Sequence, residues 1–201
     1  MRSGGIVQLT PLALVTLAII SEQPRHPYDV YATMRQRREE QTVKLSAGTL
    51  YHTINRLAEC ELLAEVGTDR EGNRPERTVY RITEAGRTAL DNKVRDWLRE
   101  PAQEFPQFPV AIGEIHHLPD DEAAAMLTER IVALDARIET LDLIERFLTD
   151  KQVPQRFWLD LDLIRHMTRA ERDWCQQTAD AITSHGIPWS QATDAAPKES
   201  R

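Results

Sequence analysis

The sequence has no excess of positive charge: 25 Lys and Arg stand against 32 Asp and Glu, a formal net charge of −7 over 201 residues. That excludes a polyanion binder driven by net charge alone. Cysteine is nearly absent. Cys60 and Cys175 are too few for a disulfide framework and fit a reducing cytoplasm. Long apolar runs are missing too. The longest, Leu12 to Ile20, is interrupted by Thr16 and is far too short to span a bilayer. It also lacks the basic flank and small-residue cleavage site of a signal peptide. No nucleophile motif, Gly-rich phosphate loop or clustered carboxylate pair stands out, so the sequence gives no support for catalysis and calls for no cofactor.

What is present becomes clearer when the charge is divided. Residues 1–100 hold 15 basic and 14 acidic residues, a net +1, which leaves 10 and 18 in residues 101–201, a net −8. The acidity belongs to the second half. In the first half, any attraction for a polyanion has to come from local clustering.

The first eight residues read as loose. Thr10-Pro11 then reads as an N-cap with proline in the first turn of a helix running to Ser21. The breaker Gln23-Pro24-Arg25-His26-Pro27 separates it from a helix over about Tyr28 to Glu39, with Tyr28, Val30, Tyr31 and Met34 available for packing. Ser46 caps a third helix to about Glu61. Ala47, Leu50, Ile54 and Leu57 share one side of it, and Gly48, His52, Asn55, Arg56 and Glu59 the other. Leu62 to Val66 and Arg77 to Ile82 read as the strands of a hairpin around a polar loop. A fourth helix follows Thr83 and runs to about Arg99, with Ala89, Leu90, Val94, Trp97 and Leu98 as its packed positions.

The order helix, helix, helix, strand, strand, helix is that of a winged helix-turn-helix. The third helix presents Thr49, His52, Asn55 and Arg56 on its free face. Asn can read adenine, and Arg can read guanine or hold a phosphate. Ser46 and Gly48 lie where backbone N–H groups favour a phosphate and a missing side chain permits close approach, and Lys44 lies just before them. The hairpin loop adds Arg70, Asn73, Arg74 and Arg77, suited to a minor groove or its flanking phosphates. Asp69, Glu71 and Glu76 are interleaved with these arginines, so a solvated charged loop is the competing reading.

The segment 9–100 resembles the PadR family of bacterial transcriptional regulators. The matching residues are His26-Pro27-Tyr28-Asp29-Val30-Tyr31, Ser46-Ala47-Gly48-Thr49-Leu50-Tyr51, Arg56-Leu57, and Gly72 to Gly86 with Arg74-Pro75-Glu76-Arg77 and Tyr80. Pro27 departs from the glycine many members carry there. The acidic second half resembles the longer subgroup of the family. The resemblance implies a homodimer on an inverted-repeat operator of double-stranded DNA, usually a repressor in the cytoplasm on the nucleoid, released in some members by small aromatic effectors. It places Tyr51 near the DNA backbone and Arg74 and Arg77 in the wing. It also puts Trp97 where some short members stack flat aromatic drugs, although a core or interface tryptophan is the plainer reading. A winged-helix adaptor that binds protein instead of DNA is the alternative.

The expected fold is thus mainly α with a small β-hairpin wing, a winged helix-turn-helix followed by a helical dimerisation domain. The expected division is 1–100 for DNA binding, 101–117 as a linker without helix around Pro101, Pro106 and Pro109, 118–190 for dimerisation, and 191–201 as a disordered tail. Leu127, Ile131, Leu134, Ile138, Leu141 and Leu148 keep a heptad rhythm broken at Glu145, which suits a seam between two chains. Packing against the last helix, about Gln155 to Ser184, is the alternative. Glu114, His116 and His117 have no visible ligand partner spacing, and adjacent histidines diverge on regular structure, so a surface turn is the better reading and no metal is expected. Asp162 and His166 read as an i,i+4 surface pair on the last helix.

Overall fold

The computed structural model describes residues 9–69 and 77–189. Arg70, Asn73, Arg74 and the expected ends at 1–8 and 191–201 lie outside the described residues, as does the side chain of Arg77. The chain forms two units, Met1–Glu104 and Phe105–Arg201.

The first unit begins with α1 (Pro11–Glu22). Thr10 caps it, its side chain accepting the Ala13 N–H at 3.2 Å. Nearly every turn of α1 is inside: Ala13, Thr16, Leu17, Ile19 and Ile20 are buried, and Thr16 satisfies its hydroxyl by donating to the Leu12 carbonyl at 2.7 Å. α2 (Pro27–Gln36) starts at the proline, as a first turn permits, with His26 as cap. It stops earlier than the sequence suggests. Arg38 takes a left-handed φ of 59°, and a short 3-10 turn over Glu39–Gln41 follows. Val30 and Met34 are buried, but Tyr28 is exposed where packing was expected.

α3 (Ala47–Glu59) buries Leu50, Ile54 and Leu57 against α1 and α2, while Ala47, placed on the packed side by the wheel, is exposed in the first turn. The hairpin is β1 (Leu63–Asp69) against β2 (Arg77–Ile82), antiparallel, with a bulge between Glu65 and Gly67. Gly67 sits at φ 136°, a region L side chains rarely adopt. Arg25 exchanges two backbone hydrogen bonds with Tyr80, both 3.0 Å, and so adds a one-residue third rung beside β2. α4 (Glu84–Arg99) leaves only Gly86 fully buried. Ala89 and Leu90 are half-buried, and Val94, Trp97 and Leu98, expected to pack, are exposed, Leu98 at 83%.

Glu22 ties α1 to α2. Arg37 donates to both its carboxylate oxygens at 2.5 and 2.9 Å, and Arg25 reaches it at 3.3 Å. The hydrogen bond from Arg37 is the main reason the Glu22 carboxyl titrates below its ordinary value. A carboxyl whose folded pKa is lowered stabilises the fold above its unfolded pKa, and that contribution is lost as the pH falls through the folded value. Both partners are partly exposed, so the pair contributes about 0.5–1 kcal/mol. Glu22→Gln should therefore lower the urea midpoint at neutral pH and match the wild type in acid. An equal deficit at both pH values would contradict the ion-pair account.

The second unit opens with α5 (Gln107–Gly113), inside the segment expected to carry no helix. Pro109 is its third residue, within the first turn, where an amide N–H has no intrahelical acceptor to lose. A 3-10 turn over Ile115–His117 leads to α6 (Asp120–Asp150), and α7 (Leu159–Thr183) returns after Pro154 and a 3-10 turn over Gln155–Phe157. Side-chain pairs Asp135–Arg172, Asp142–Arg169 and Glu145–Arg165 run in opposite orders along the two helices, which are therefore antiparallel. The heptad stripe expected between chains closes within one chain. Leu127, Ile131, Leu134 and Leu141 are buried and Ile138 half-buried, and the first three share a core with Cys175, Ala179 and Ile182 of α7. Glu145, the break in the heptad, is the ion-pair partner of Arg165.

Candidate nucleic-acid interface

α3 owes its start to a reciprocal capping box. The Ser46 hydroxyl accepts the Thr49 N–H at 3.2 Å, and the Thr49 hydroxyl accepts the Ser46 N–H at 3.2 Å. Ser46 and Thr49, both expected to touch a ligand, are thus already engaged with each other, and their first contribution is to fix where the helix begins. The capping role of Thr49 was not evident from the sequence, because capping boxes are recognised by Glu or Gln at that position.

The packed and free faces of α3 separate cleanly. Leu50 and Ile54 are completely buried, while Gly48, Tyr51, His52, Asn55 and Arg56 are all exposed, Tyr51 at 40%. Lys44 is exposed just upstream. Among the described residues, Lys44 and Arg56 have no ion-pair partner. A cation without an internal carboxylate partner can meet a phosphate without first breaking a salt bridge. Arg37, nearby in sequence, is different: it is held by Glu22.

A cavity of about 430 Å³ lies between the start of α1 and α3. His52 and Arg56 line it over a floor that includes Leu9, Ala13 and Leu57. No sequence spacing brings Leu9 beside Arg56, and this recess was not foreseen.

Gly48 has nothing within 4 Å of the position a Cβ would take. The chain's own packing gives no reason for glycine there. Glycine inside a helix is about 0.5–1 kcal/mol worse than alanine, so Gly48→Ala should stabilise the protein by that amount. If the backbone at Gly48 approaches a phosphate, the same variant should bind duplex DNA more weakly. Urea denaturation and a binding titration on one sample check both signs. Unchanged DNA affinity would remove Gly48 from the interface.

The last described pair of the hairpin is Asp69 opposite Arg77; Arg70, Asn73 and Arg74 fall between them in sequence, outside the described residues. Trp97 is 42% exposed, with Lys93 Nζ 5.4 Å from its ring centroid, and is not a core residue of its own unit. Among the described residues, no helix is long and apolar enough to cross a membrane.

Residues 16–92, from α1 into α4, match the profile of the Transcriptional regulator PadR-like family. No curated protein sequence matches. Among solved structures, the chain is similar to Bacillus subtilis PadR in complex with operator DNA, at 16% identity and a TM-score of 0.73, over 86% of this chain and 99% of that one. It is similar to Bacillus subtilis PadR in complex with p-coumaric acid, at 16% identity and 0.70, over 87% and 99%. It is also similar to the PadR-like transcriptional regulator BC1756 from Bacillus cereus, at 15% identity and 0.60, over 87% and 99%. At these identities the likeness establishes the fold: a mainly α chain with a two-stranded wing, the expected class.

Proposed function

We propose that this PadR-like chain is a sequence-specific, DNA-binding transcriptional regulator rather than an enzyme, acting in the cytoplasm as a homodimeric repressor on an inverted-repeat operator. The observation that carries the proposal is the free face of α3, on which Tyr51, His52, Asn55 and Arg56 are all exposed. Lys44, Ser46, Gly48 and Thr49 hold the phosphate at the start of the helix, and Arg70, Asn73, Arg74 and Arg77 supply the wing. The attraction is local, since residues 1–100 carry a net charge of only +1.

The dimer needs a face other than the stripe used within the chain. Leu143 and Phe147 on α6, and Leu159, Leu163 and Met167 on α7, are exposed large apolar residues spaced four apart, each more than half exposed. They supply the surface for a second copy. A neighbour of the same fold was crystallised with p-coumaric acid, which supports a small aromatic acid as releasing effector here, with Trp97 as its candidate contact.

The test is selection of bound sequences from random duplex DNA by the full-length protein, followed by a salt titration. A palindrome with half-sites about 34–36 Å apart is expected. Affinity should fall steeply with salt. Failure to bind any duplex at low salt would overturn the reading in favour of a protein-binding adaptor, which the near-neutral first unit would suit.

A further inference from the structure

The turn joining α5 to α6 brings together three side chains that the rest of the fold does not explain. Glu114, His116 and His117 are all exposed, and one donor atom from each lies within 4.8 Å of the others. We propose that these three residues form a binding site for a divalent d-block cation of the Zn²⁺ or Ni²⁺ type.

The backbone explains why the donors converge. Ile115–His117 is a 3-10 helix, and residues three apart eclipse in that geometry. His117 N–H donates to the Glu114 carbonyl at 3.1 Å, closing the turn, and His117 Nε2 lies 3.3 Å from Glu114 Oε2. The His116 and His117 rings stack with centroids 4.4 Å apart and planes inclined by 32°. Adjacent histidines would diverge on a strand or α-helix. This turn holds them side by side.

The distances fit a coordination sphere. Bonds of 2.0–2.2 Å in a tetrahedral site place donors about 3.4 Å apart. The Glu114–His117 pair already meets that spacing. His116 has to close by at most about 1.4 Å from the 4.8 Å limit, and an exposed imidazole does so by a side-chain rotation. The support beneath is firm. Ile115 and Leu118 pack on the core of the second unit, and Trp189 Nε1 donates to the Leu118 carbonyl at 2.9 Å. Two imidazoles and one carboxylate form a borderline donor set that suits Zn²⁺ or Ni²⁺ and is a poor match for Ca²⁺ or Mg²⁺, which prefer oxygen ligands. Three protein ligands leave a coordination position for water or an exogenous anion. The bound cation would clamp the turn that leads into α6.

The proposal is independent of DNA binding. Calorimetric titration of the untagged full-length protein with Zn²⁺ should give one equivalent per chain and a raised thermal midpoint. The double variant His116→Ala/His117→Ala should weaken binding at least about tenfold and abolish the thermal shift, and Glu114→Gln should weaken it less. His166→Ala, on exposed α7 surface, should titrate as the wild type. All four proteins should share one thermal midpoint without metal, since the altered side chains are exposed. If the wild type takes up no Zn²⁺, or the double variant binds as well as the wild type, the cluster is an ordinary ion pair beside a stacked ring and the proposal fails.

Discussion

Arg56→Ala should weaken binding to the selected operator by about ten- to hundredfold, the 1–3 kcal/mol that one good charged contact to DNA contributes. Arg56 is exposed and lacks an ion-pair partner among the described residues, so its removal disturbs nothing inside the first unit, and the unfolding midpoint should not move. The salt dependence distinguishes what Arg56 touches. If it holds a phosphate, the slope of log affinity against log salt falls by about 0.9 and every sequence is affected alike. If it reads guanine, the slope stays and one operator position loses its preference. Asn55→Ala, one residue earlier on the same face, should relax the choice of a single base while leaving non-specific affinity intact. If the wing holds phosphates, as proposed, Arg74→Ala with Arg77→Ala should weaken all sequences together. Wild-type affinity in both Arg56→Ala and Asn55→Ala would mean that α3 is not the reading helix.

The parts of this chain that were legible from sequence are those set by short-range rules. Thr10, Ser46 and Thr83 announce helix starts because a side-chain oxygen within three residues is enough to satisfy a free backbone N–H. Leu50, Ile54 and Leu57 reveal the buried face of α3 because helical periodicity needs no partner to be visible. The same periodicity misleads wherever the partner decides. Leu127, Ile131 and Leu134 form the stripe of a seam whether the second helix is α7 of the same chain or another copy, and the structure supplies α7. Glu145 looks like a fault in that stripe until Arg165 is placed opposite it, twenty residues away. Val94, Trp97 and Leu98 have the spacing of a packed face and remain exposed. Pro109 reads as a breaker, yet its effect depends on how many residues of helix precede it, and here only two do. For the candidate site, the free face of α3 was readable, but the recess beside it and the convergence of His116 with His117 required the fold.

Gly86→Ala should be the most damaging conservative change in the first unit, with a loss of about 3 kcal/mol or more. Gly86 is the third residue of α4, and its N–H is accepted by the Thr83 hydroxyl at 3.0 Å. A Cβ there would lie 2.2 Å from the Leu62 carbonyl oxygen and 2.8 Å from Ile82 Cγ1. The oxygen cannot withdraw freely. It accepts the Thr83 N–H at 3.1 Å, while the Leu62 N–H donates to the Leu57 carbonyl at 2.9 Å and the Thr83 hydroxyl donates to the Glu61 carbonyl at 2.7 Å. Those bonds join the end of α3, the start of β1 and the cap of α4, so relief of the clash has to break a cap or tilt the hairpin against α3. Helix propensity alone would favour alanine over glycine by about 0.5–1 kcal/mol, which is the gain expected at Gly48, where nothing lies within 4 Å. One substitution at two helix starts should therefore give opposite signs: a higher urea midpoint for Gly48→Ala and a much lower one for Gly86→Ala. The variants should differ in function as well. If Gly48 approaches a phosphate, as proposed, Gly48→Ala should bind DNA more weakly while its fold improves, whereas Gly86→Ala should lose DNA affinity only to the extent that the hairpin and α3 no longer hold their positions. A Gly86→Ala stability within about 0.5 kcal/mol of the wild type would mean that the α3–β1–α4 junction yields and is not what fixes the hairpin beside α3.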